Sequence, residues 1–403
     1  MFSNIETEAD ISAVFYSIYN QVQKEEDYVE LMVSKKVQSI KPSGVRAIFD
    51  MAQEDSINLG LGELDFRPPR EVTEACKKAL DSDSYRYGPT MGIPALREKI
   101  ANKISRFNKD IKMSNVMITS SGTQAAMATF QTLFQEGDEV LVPDPGFVVY
   151  APECTLCGAD PVPYTMDDEL NIDLEKIKES TTKKTKGIVV NSPANPCGSV
   201  LTEEAFKTIC DLAEDHNLWI ISDEVYENFI YEGKHYSFNE YLDRSVVLNS
   251  FSKSFAVAGW RVGYLSAPDS IISEISKMQY HILACPPSPF QYALNDAFDC
   301  QEDFINEIFP ILKKRRDLTT DLLNEIHGFS CIKPRGAFYA FPSYDLDIPS
   351  ADLAVKLAHQ GVLCSPGTAF GDAGEKHLRI SYAASEDNIE KGIQIIKDFV
   401  ENF

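Results

Sequence analysis

Residues 245–266 read SVVLNSFSKSFAVAGWRVGYLS, and this stretch decides both the fold and the first candidate site. The apolar runs at its two ends have the length and composition of buried strands. Between them, Lys253 lies in a turn rich in hydroxyl and aromatic side chains, whereas exposed lysines usually lie among other charges on helix faces. A poorly hydrated lysine has a lowered pKa and becomes an amine nucleophile for carbonyl compounds. Ser250 and Arg261 on either side are suited to an anionic group such as a phosphate.

Similar apolar runs recur from about residue 70 to residue 300, with helical stretches such as 94–108 and 203–216 between them. Strands that alternate with helices predict βαβ units. They form a mainly parallel sheet that helices cover on both faces, and hence an α/β fold. The predicted strands are Val116–Thr119, Glu139–Pro143, Gly187–Asn191, Leu218–Ser222, Val246–Ser250 and Arg261–Ser266.

Polar residues follow several of these strands. Asp223 ends a buried strand, so its carboxylate needs a cationic partner. A protonated pyridine nitrogen or a structural arginine would serve. Ser121–Thr123 opens a helix, where free backbone N–H groups favour a phosphate, and Asn195 lies in a loop stiffened by prolines. Because open α/β sheets place ligands at the carboxyl ends of their strands, we expect these residues and Lys253 to line one crevice.

The pattern changes after residue 303 and predicts a second, smaller domain of α+β type. A long helical stretch begins at Phe304 and ends near Leu323. It leads to a strand at Ala337–Phe341, a helix from residue 351 and a strand at His377–Tyr382.

The N-terminal residues differ from the rest of the chain. Apolar side chains recur there at helical spacing, which predicts an amphipathic helix that packs on the body or on a partner subunit. These side chains are Ile11, Val14, Phe15, Ile18, Tyr19 and Val22. We therefore predict a helical extension at 1–35, a segment at 36–69 that contributes to the small domain, a large domain at 70–303 and a C-terminal small domain at 304–403.

Composition excludes several classes of function. With 38 Lys+Arg and 61 Asp+Glu, the net charge is 38 − 61 = −23, which disfavours a nucleic-acid partner. No apolar run approaches the roughly 20 residues of a membrane span. The nine cysteines are odd in number and follow no disulfide framework, and no N-terminal signal is seen, so we expect a cytoplasmic protein. Cys154 and Cys157 form a single CxxC without nearby histidines, so we expect no metal site.

Together these motifs resemble the fold-type I aminotransferases that use pyridoxal 5′-phosphate (PLP), in the aspartate/aromatic branch of the class I/II family. The resemblance covers roughly nine-tenths of the chain, from about Ile40 to the C-terminus. It includes the motifs Asn58–Phe66, Tyr87–Pro94 and Pro366–Gly371. The resemblance implies a large, mainly parallel seven-stranded α/β/α domain and a smaller α+β domain. It also implies a homodimer with shared active sites.

The resemblance further implies roles for the matching residues. Lys253 would form a covalent imine with the cofactor and later move the α-proton of the substrate. Asp223 would pair with the pyridinium nitrogen and keep the ring an electron sink, while Tyr226 and Asn195 would hydrogen-bond the 3-oxygen of the ring. The implied cofactor-binding set is Gly122, Thr123, Phe147, Asn195, Asp223, Tyr226, Ser250, Ser252, Lys253 and Arg261, with Tyr87 reaching the phosphate from the other subunit.

For the substrate, the resemblance implies an L-amino acid and a 2-oxo acid such as 2-oxoglutarate. Arg379 would bind the α-carboxylate, assisted by Asn195 and the Gly62 backbone. Overall similarity makes aspartate the first expected donor. One subgroup holds the second carboxylate with a partner-subunit arginine, which residues 279–282 (QYHI) do not offer. Another uses a lysine where this chain has Thr123. An aromatic or broad specificity is therefore the alternative.

The same architecture hosts other activities. A carbon–sulfur lyase on the same cofactor is a further alternative, which would release pyruvate and ammonia from an S-alkylcysteine without a 2-oxo acid. A cofactor-binding regulator would carry a DNA-binding module, and residues 1–35 are too short and acidic for one. Leu64 and Cys197 stand where the family commonly has proline and threonine, and we interpret both as packing changes.

Overall fold

The computed structural model describes residues 33–403. A seven-stranded sheet is its largest sheet, with the strand order β2-β8-β7-β6-β5-β3-β4. Neighbours from β4 to β7 are parallel, whereas β8 runs antiparallel to both β7 and β2. Over the described part of the chain, the strands are β1 (Ile57–Asn58), β2 (Val116–Thr119), β3 (Glu139–Asp144), β4 (Asp160–Thr165), β5 (Thr185–Asn191), β6 (Trp219–Asp223), β7 (Ser245–Ser250), β8 (Gly263–Ser266), β9 (Phe329–Ser330), β10 (Tyr339–Ala340), β11 (Ser343–Tyr344), β12 (Val362–Leu363), β13 (Ser365–Pro366) and β14 (Leu378–Ser381).

Helices cover this sheet, and every residue of β2, β7 and β8 is buried. Burial on both faces explains why these strands are continuous apolar runs in the sequence. Among residues 33–403, the α-helices are α1 (Lys35–Gln38), α2 (Gly44–Phe49), α3 (Arg70–Leu80), α4 (Pro94–Ile104), α5 (Ser121–Leu133), α6 (Tyr150–Cys157), α7 (Leu174–Ser180), α8 (Glu203–His216), α9 (Phe251–Ser254), α10 (Asp269–Leu283), α11 (Ser288–Asp296), α12 (Gln301–Asn324), α13 (Ser350–His359) and α14 (Glu386–Glu401).

One strand of the large sheet, β4, was not predicted from the sequence. β4 has the sequence DPVPYT, and the two prolines at 161 and 163 argue against a strand in the interior of a sheet. β4 lies at the edge of the sheet and pairs with β3 alone. Its other side has no neighbouring strand, so a proline that lacks an N–H group on that side costs no hydrogen bond between strands. The mainly parallel seven-stranded α/β fold is otherwise as predicted.

The C-terminal third has the predicted mixture of one long helix and short strands. β10, β14 and β13 form a three-stranded antiparallel sheet, while β1 pairs with β12 and β9 with β11. Their shared core includes Leu59, Leu312, Leu357 and Ile393. The chain from Pro42 to Phe403 forms one compact unit, so the predicted domain boundaries at 69 and 303 stay a prediction.

The predicted amphipathic helix around Ile11–Val22 lies outside the described residues. Within residues 33–403, none of the helices has both the length and the apolar character needed to cross a membrane.

Candidate active site

A cavity of about 290 Å³ opens at the carboxyl ends of β5, β6 and β7. Of the site residues predicted from the sequence, all except Tyr87 line it. A larger cavity of about 460 Å³ lies nearby between α7 and α8, but the lysine and arginines of interest line the smaller one. The residues brought together are Gly62, Gly122, Thr123, Phe147, Asn195, Asp223, Tyr226, Ser250, Ser252, Lys253, Arg261 and Arg379.

Lys253 enters the cavity from α9, the short helix that follows β7. Its Nζ donates a hydrogen bond to the Gly62 carbonyl oxygen. Burial lowers the pKa of Lys253 to about 8, and the positive charges of Arg379 and Arg261 act in the same direction. The Tyr339 hydroxyl packs so closely against Gly62 that a Cβ at this position would overlap it, so the position requires glycine. The amine is therefore largely available in its neutral, nucleophilic form at mildly alkaline pH.

Asp223 lies at the end of β6 with its carboxylate buried. The Tyr150 hydroxyl donates to Oδ2 at 2.7 Å, and the Val225 N–H donates to Oδ1 at 3.2 Å. Burial raises the pKa of Asp223, and these two hydrogen bonds oppose that rise. No cation of residues 33–403 forms an ion pair with it, so the structural arginine considered above is not present in the described chain. Tyr150 was not predicted as a site residue, although it lies only three residues after Phe147.

Arg379 is a buried cation on β14, with 3% of its surface exposed. Its Nη1 donates to Asn195 Oδ1 at 2.9 Å, and Nη2 donates to the Gly60 carbonyl oxygen. The rings of Tyr339 and Phe370 each lie 4.6 Å from the guanidinium carbon. Nε is buried without a hydrogen-bond partner, and none of the described carboxylates pairs with the guanidinium. A buried guanidinium in this state is suited to bind a carboxylate that arrives from outside.

Tyr226 contributes a buried hydroxyl group to the cavity wall. It lies 2.7 Å from the hydroxyl of Tyr339, and burial raises its pKa well above the ordinary value. Asn195 is held by a hydrogen bond from its own N–H to Asn191 Oδ1 at 2.7 Å. The sequence offered no signal for Tyr339, because it lies 113 residues from Tyr226 along the chain.

Another part of the cavity wall, formed by Ser250, Ser252, Arg261 and the start of α5, is rich in hydrogen-bond donors. Ser250 donates to Ser252 Oγ at 2.8 Å, and Arg261 extends from a left-handed backbone position at φ 55°. Helix α5 begins here with no acidic residue in its first turn, so its N–H groups and dipole favour an anion. A Cβ at Gly263 would lie 2.7 Å from the Gly122 nitrogen, so glycine lets β8 approach the start of this helix.

Tyr87 lies away from the cavity, with 91% of its surface exposed. Tyr85, Tyr280 and Tyr292 are exposed as well. One chain alone therefore does not bring Tyr87 to the site, and its predicted contact with the phosphate stays a prediction.

A mainly parallel α/β sheet with a buried lysine and a buried carboxylate at its carboxyl edge is typical of the fold-type I class of PLP-dependent enzymes. The profile of the family described as "Aminotransferase class I and II" matches residues 54–396. The chain belongs to this family and is an aminotransferase.

Curated relatives cover nearly the whole chain. A "Probable aspartate aminotransferase" of Methanocaldococcus jannaschii is 42% identical over 381 residues, which are 92% of this chain and 100% of that protein. An "Aromatic-amino-acid aminotransferase 2" of Thermococcus litoralis is 36% identical over 90% of this chain and 97% of its own length. Among solved structures, the Thermus thermophilus aspartate aminotransferase with maleate has a TM-score of 0.87 at 32% identity, covering 91% of this chain and 99% of that one.

Proposed function

We propose that this aminotransferase uses PLP to move an amino group from an L-amino acid, aspartate first, to a 2-oxo acid such as 2-oxoglutarate. The observation that carries the proposal is the convergence of Lys253, Asp223 and Arg379 on one cavity. These side chains supply a nucleophilic amine, a buried anion and a buried cation, and none of the three forms an ion pair with another described residue.

The cavity fits the cofactor that the family uses. Asp223 is a buried carboxylate without an ion-pair partner in the described chain, and a pyridinium nitrogen would supply one. Ser250, Ser252 and Arg261 offer donors for a phosphate beside the start of α5. When bound, the cofactor supplies an electron sink that stabilises negative charge at the substrate Cα.

The other cofactor contacts follow from the same arrangement. Asn195 and Tyr226 would donate to the 3-oxygen of the ring, and Phe147 would stack on its face. Gly122 and Thr123 would add their N–H groups to the phosphate site. Phe147 packs edge-on against Tyr150, with ring centroids 5.8 Å apart, and so lies on the side of the cavity that also positions Asp223.

Lys253 would hold the cofactor covalently before substrate arrives and move a proton at the substrate Cα afterwards. A proton carrier works best when its pKa is near the working pH, and burial brings the pKa of Lys253 down to about 8. Arg379 would bind the α-carboxylate and, with Asn195, orient the Cα–H bond toward this amine.

The choice of aspartate is supported by relatives named as aspartate aminotransferases. The aromatic alternative is supported by Phe147, Tyr339 and Phe370 in the cavity wall and by the relative named for aromatic amino acids. Half-reactions with a panel of amino donors, followed by the absorbance of the bound cofactor, separate the two. A kcat/KM preference of more than about tenfold, or roughly 1.4 kcal/mol, for tyrosine and phenylalanine over aspartate would reject the aspartate assignment.

We also propose a cytoplasmic homodimer in which Tyr87 reaches the phosphate site of the partner subunit. All nine cysteines are free, which is consistent with a reducing compartment. Mixing a Lys253→Ala protein with a Tyr87→Ala protein should restore partial activity, because hybrid dimers hold one site with both residues intact. A fully active monomer in solution would contradict the shared site.

A further inference from the structure

The cavity holds one positive charge that the roles above leave without a function. Among the described residues, the cationic side chains that line it are Arg46, Lys253, Arg261 and Arg379. Lys253 and Arg261 belong to the proposed cofactor site, and Arg379 to the α-carboxylate. Arg46, which the sequence analysis did not single out, is therefore the cation left for the remainder of the substrate.

Helix α2, which carries Arg46, is held against the wall that positions Arg379. A Cβ at Gly44 would lie 3.1 Å from the Ala369 Cβ, so the helix backbone closely approaches the segment just before Phe370. Val45 packs in the same hydrophobic cluster as Phe370, whose ring lies over the Arg379 guanidinium. Arg46 thus enters the cavity from an element anchored beside the α-carboxylate site.

The present partner of Arg46 is weak. Its Nε lies 2.8 Å from Asp50 Oδ1, one helical turn away, and both side chains are more than half exposed. An exposed pair at this spacing contributes little to stability, so a carboxylate in the cavity competes with it at small cost. The guanidinium carbon also lies 5.2 Å from the centroid of the Phe49 ring. Neither Nη1 nor Nη2 donates a hydrogen bond within residues 33–403, so both can donate to a second carboxylate.

We infer that Arg46 binds the side-chain carboxylate of a dicarboxylic substrate and is a specificity-determining residue of this chain. The inference rests on the proposed function. Its charge suits aspartate, glutamate and 2-oxoglutarate, which carry a second carboxylate, whereas an aromatic side chain has no anion to form an ion pair with it. It also replaces the cation that is missing at Thr123 and in residues 279–282.

The test uses the PLP-loaded protein and the variant Arg46→Met. We expect kcat/KM for aspartate to fall roughly tenfold or more, while kcat/KM for phenylalanine stays within about twofold. The Kd of maleate, a dicarboxylate that cannot be transaminated, should rise by a similar factor in calorimetry. The Kd of the monocarboxylate 3-phenylpropionate should not change, and Arg46→Lys should restore part of the loss.

Asp50→Asn is the matched control, since it breaks the same ion pair but keeps the arginine. It should leave kcat/KM for aspartate unchanged or raise it. An equal loss for both donors in Arg46→Met, unchanged maleate binding, or the same loss in Asp50→Asn would overturn the inference while leaving the proposed function intact. A wild-type protein that transaminates no amino acid would refute the proposed function itself. A wild type that prefers the aromatic donors would reject both the aspartate donor and the role of Arg46.

Discussion

Asp223 and Glu224 are neighbours in the chain, yet the two carboxylates lie in opposite kinds of electrostatic surroundings. Glu224 belongs to a group of charges around two buried carboxylates, here called the Glu227 cluster, which consists of Lys103, Arg106, Glu224, Glu227 and His235. Within it, Glu224 Oε2 lies 2.9 Å from His235 Nε2, and Glu227 Oε1 lies 2.7 Å from Lys103 Nζ. Each buried carboxylate has its cation within the chain.

The charges of the Glu227 cluster stabilise each other. Burial alone would raise the pKa of Glu227, but Lys103 and His235 outweigh it and lower that pKa to about 2. Burial likewise works against the charge of His235, but Glu224 raises its pKa overall. The three possible metal-ligating atoms of Glu224, Glu227 and His235 lie within 4.8 Å of one another, but Lys103 and Arg106 already supply the positive charge that a metal would bring.

The cavity side of β6 shows the contrary arrangement. Neither Asp223 nor Arg379 forms an ion pair within the described chain, and both are buried. Leaving such groups without a countercharge costs free energy, so a protein retains them where a ligand supplies the missing charge. The comparison separates buried charges that hold the fold from buried charges that bind.

The largest expected effect is on Lys253. Lys253→Ala should lose transamination by about ten-thousandfold, because the variant has neither the nucleophilic amine nor the proton carrier. It should still bind PLP, without a covalent bond, in equilibrium dialysis. Full turnover in this variant would show that the lysine is not the catalytic amine.

The next effect is on Arg379. Arg379→Met should lower kcat/KM for every amino donor by about 100- to 1,000-fold, since all donors carry the α-carboxylate. Its unfolding temperature should not fall, because methionine removes a buried charge that lacks a counterion. A large loss of stability with unchanged kinetics would place Arg379 with the structural charges instead.

For the Glu227 cluster we expect the reverse outcome, a loss of stability with little change in activity. Glu227→Gln should lower the free energy of unfolding by about 3 to 5 kcal/mol in urea denaturation, because Lys103, whose side chain is only 16% exposed, is left without its anion. Under conditions where the variant is folded, kcat should change little. Glu74→Gln, which breaks an exposed pair with Lys77, serves as the control and should leave stability nearly unchanged. A loss of activity without a loss of stability in Glu227→Gln would contradict the structural role of the Glu227 cluster.

Glu153 on α6 is a third kind of buried charge, and its effect is the smallest. Its Oε2 has no hydrogen-bond partner, and burial raises the pKa of Glu153 from 4.5 to about 7. The folded state therefore binds this proton more tightly than the unfolded state, and stability is lost as the pH rises from about 4.5 through about 7. Glu153→Gln should melt at a higher temperature than wild type at pH 8, with no difference near pH 4. Glu136→Gln, a change at an exposed position, is the control and should melt at the same temperature as wild type at both pH values. If Glu153→Gln still differed from wild type at pH 4, titration of Glu153 would be excluded as the cause.

Much of the fold was predictable because its signals are local. Six strands of the large sheet are apolar runs that read as strands without knowledge of their neighbours, and the helix at 203–216 was predicted with its observed bounds. β4 was missed, because only its place at the sheet edge makes two prolines acceptable. Asn195, Asp223 and Lys253 were predicted to share a crevice for a related reason: each follows a strand, and the parallel order brings these strand ends together. Gly62, Phe147 and Arg379 were predicted from the family resemblance alone, and Arg379 lies within a strand of the small antiparallel sheet.

The sequence by itself determined the α/β pattern, the family and the amine, acid and arginine that the cavity brings together. Only the tertiary structure decided what surrounds each charge. Lys103 meets Glu227 across 124 residues of chain, Tyr226 meets Tyr339 across 113, and Arg46 faces the same cavity as Arg379. A charge that is paired and one that is not look alike in a sequence, because pairing depends on groups that folding brings together from distant parts of the chain.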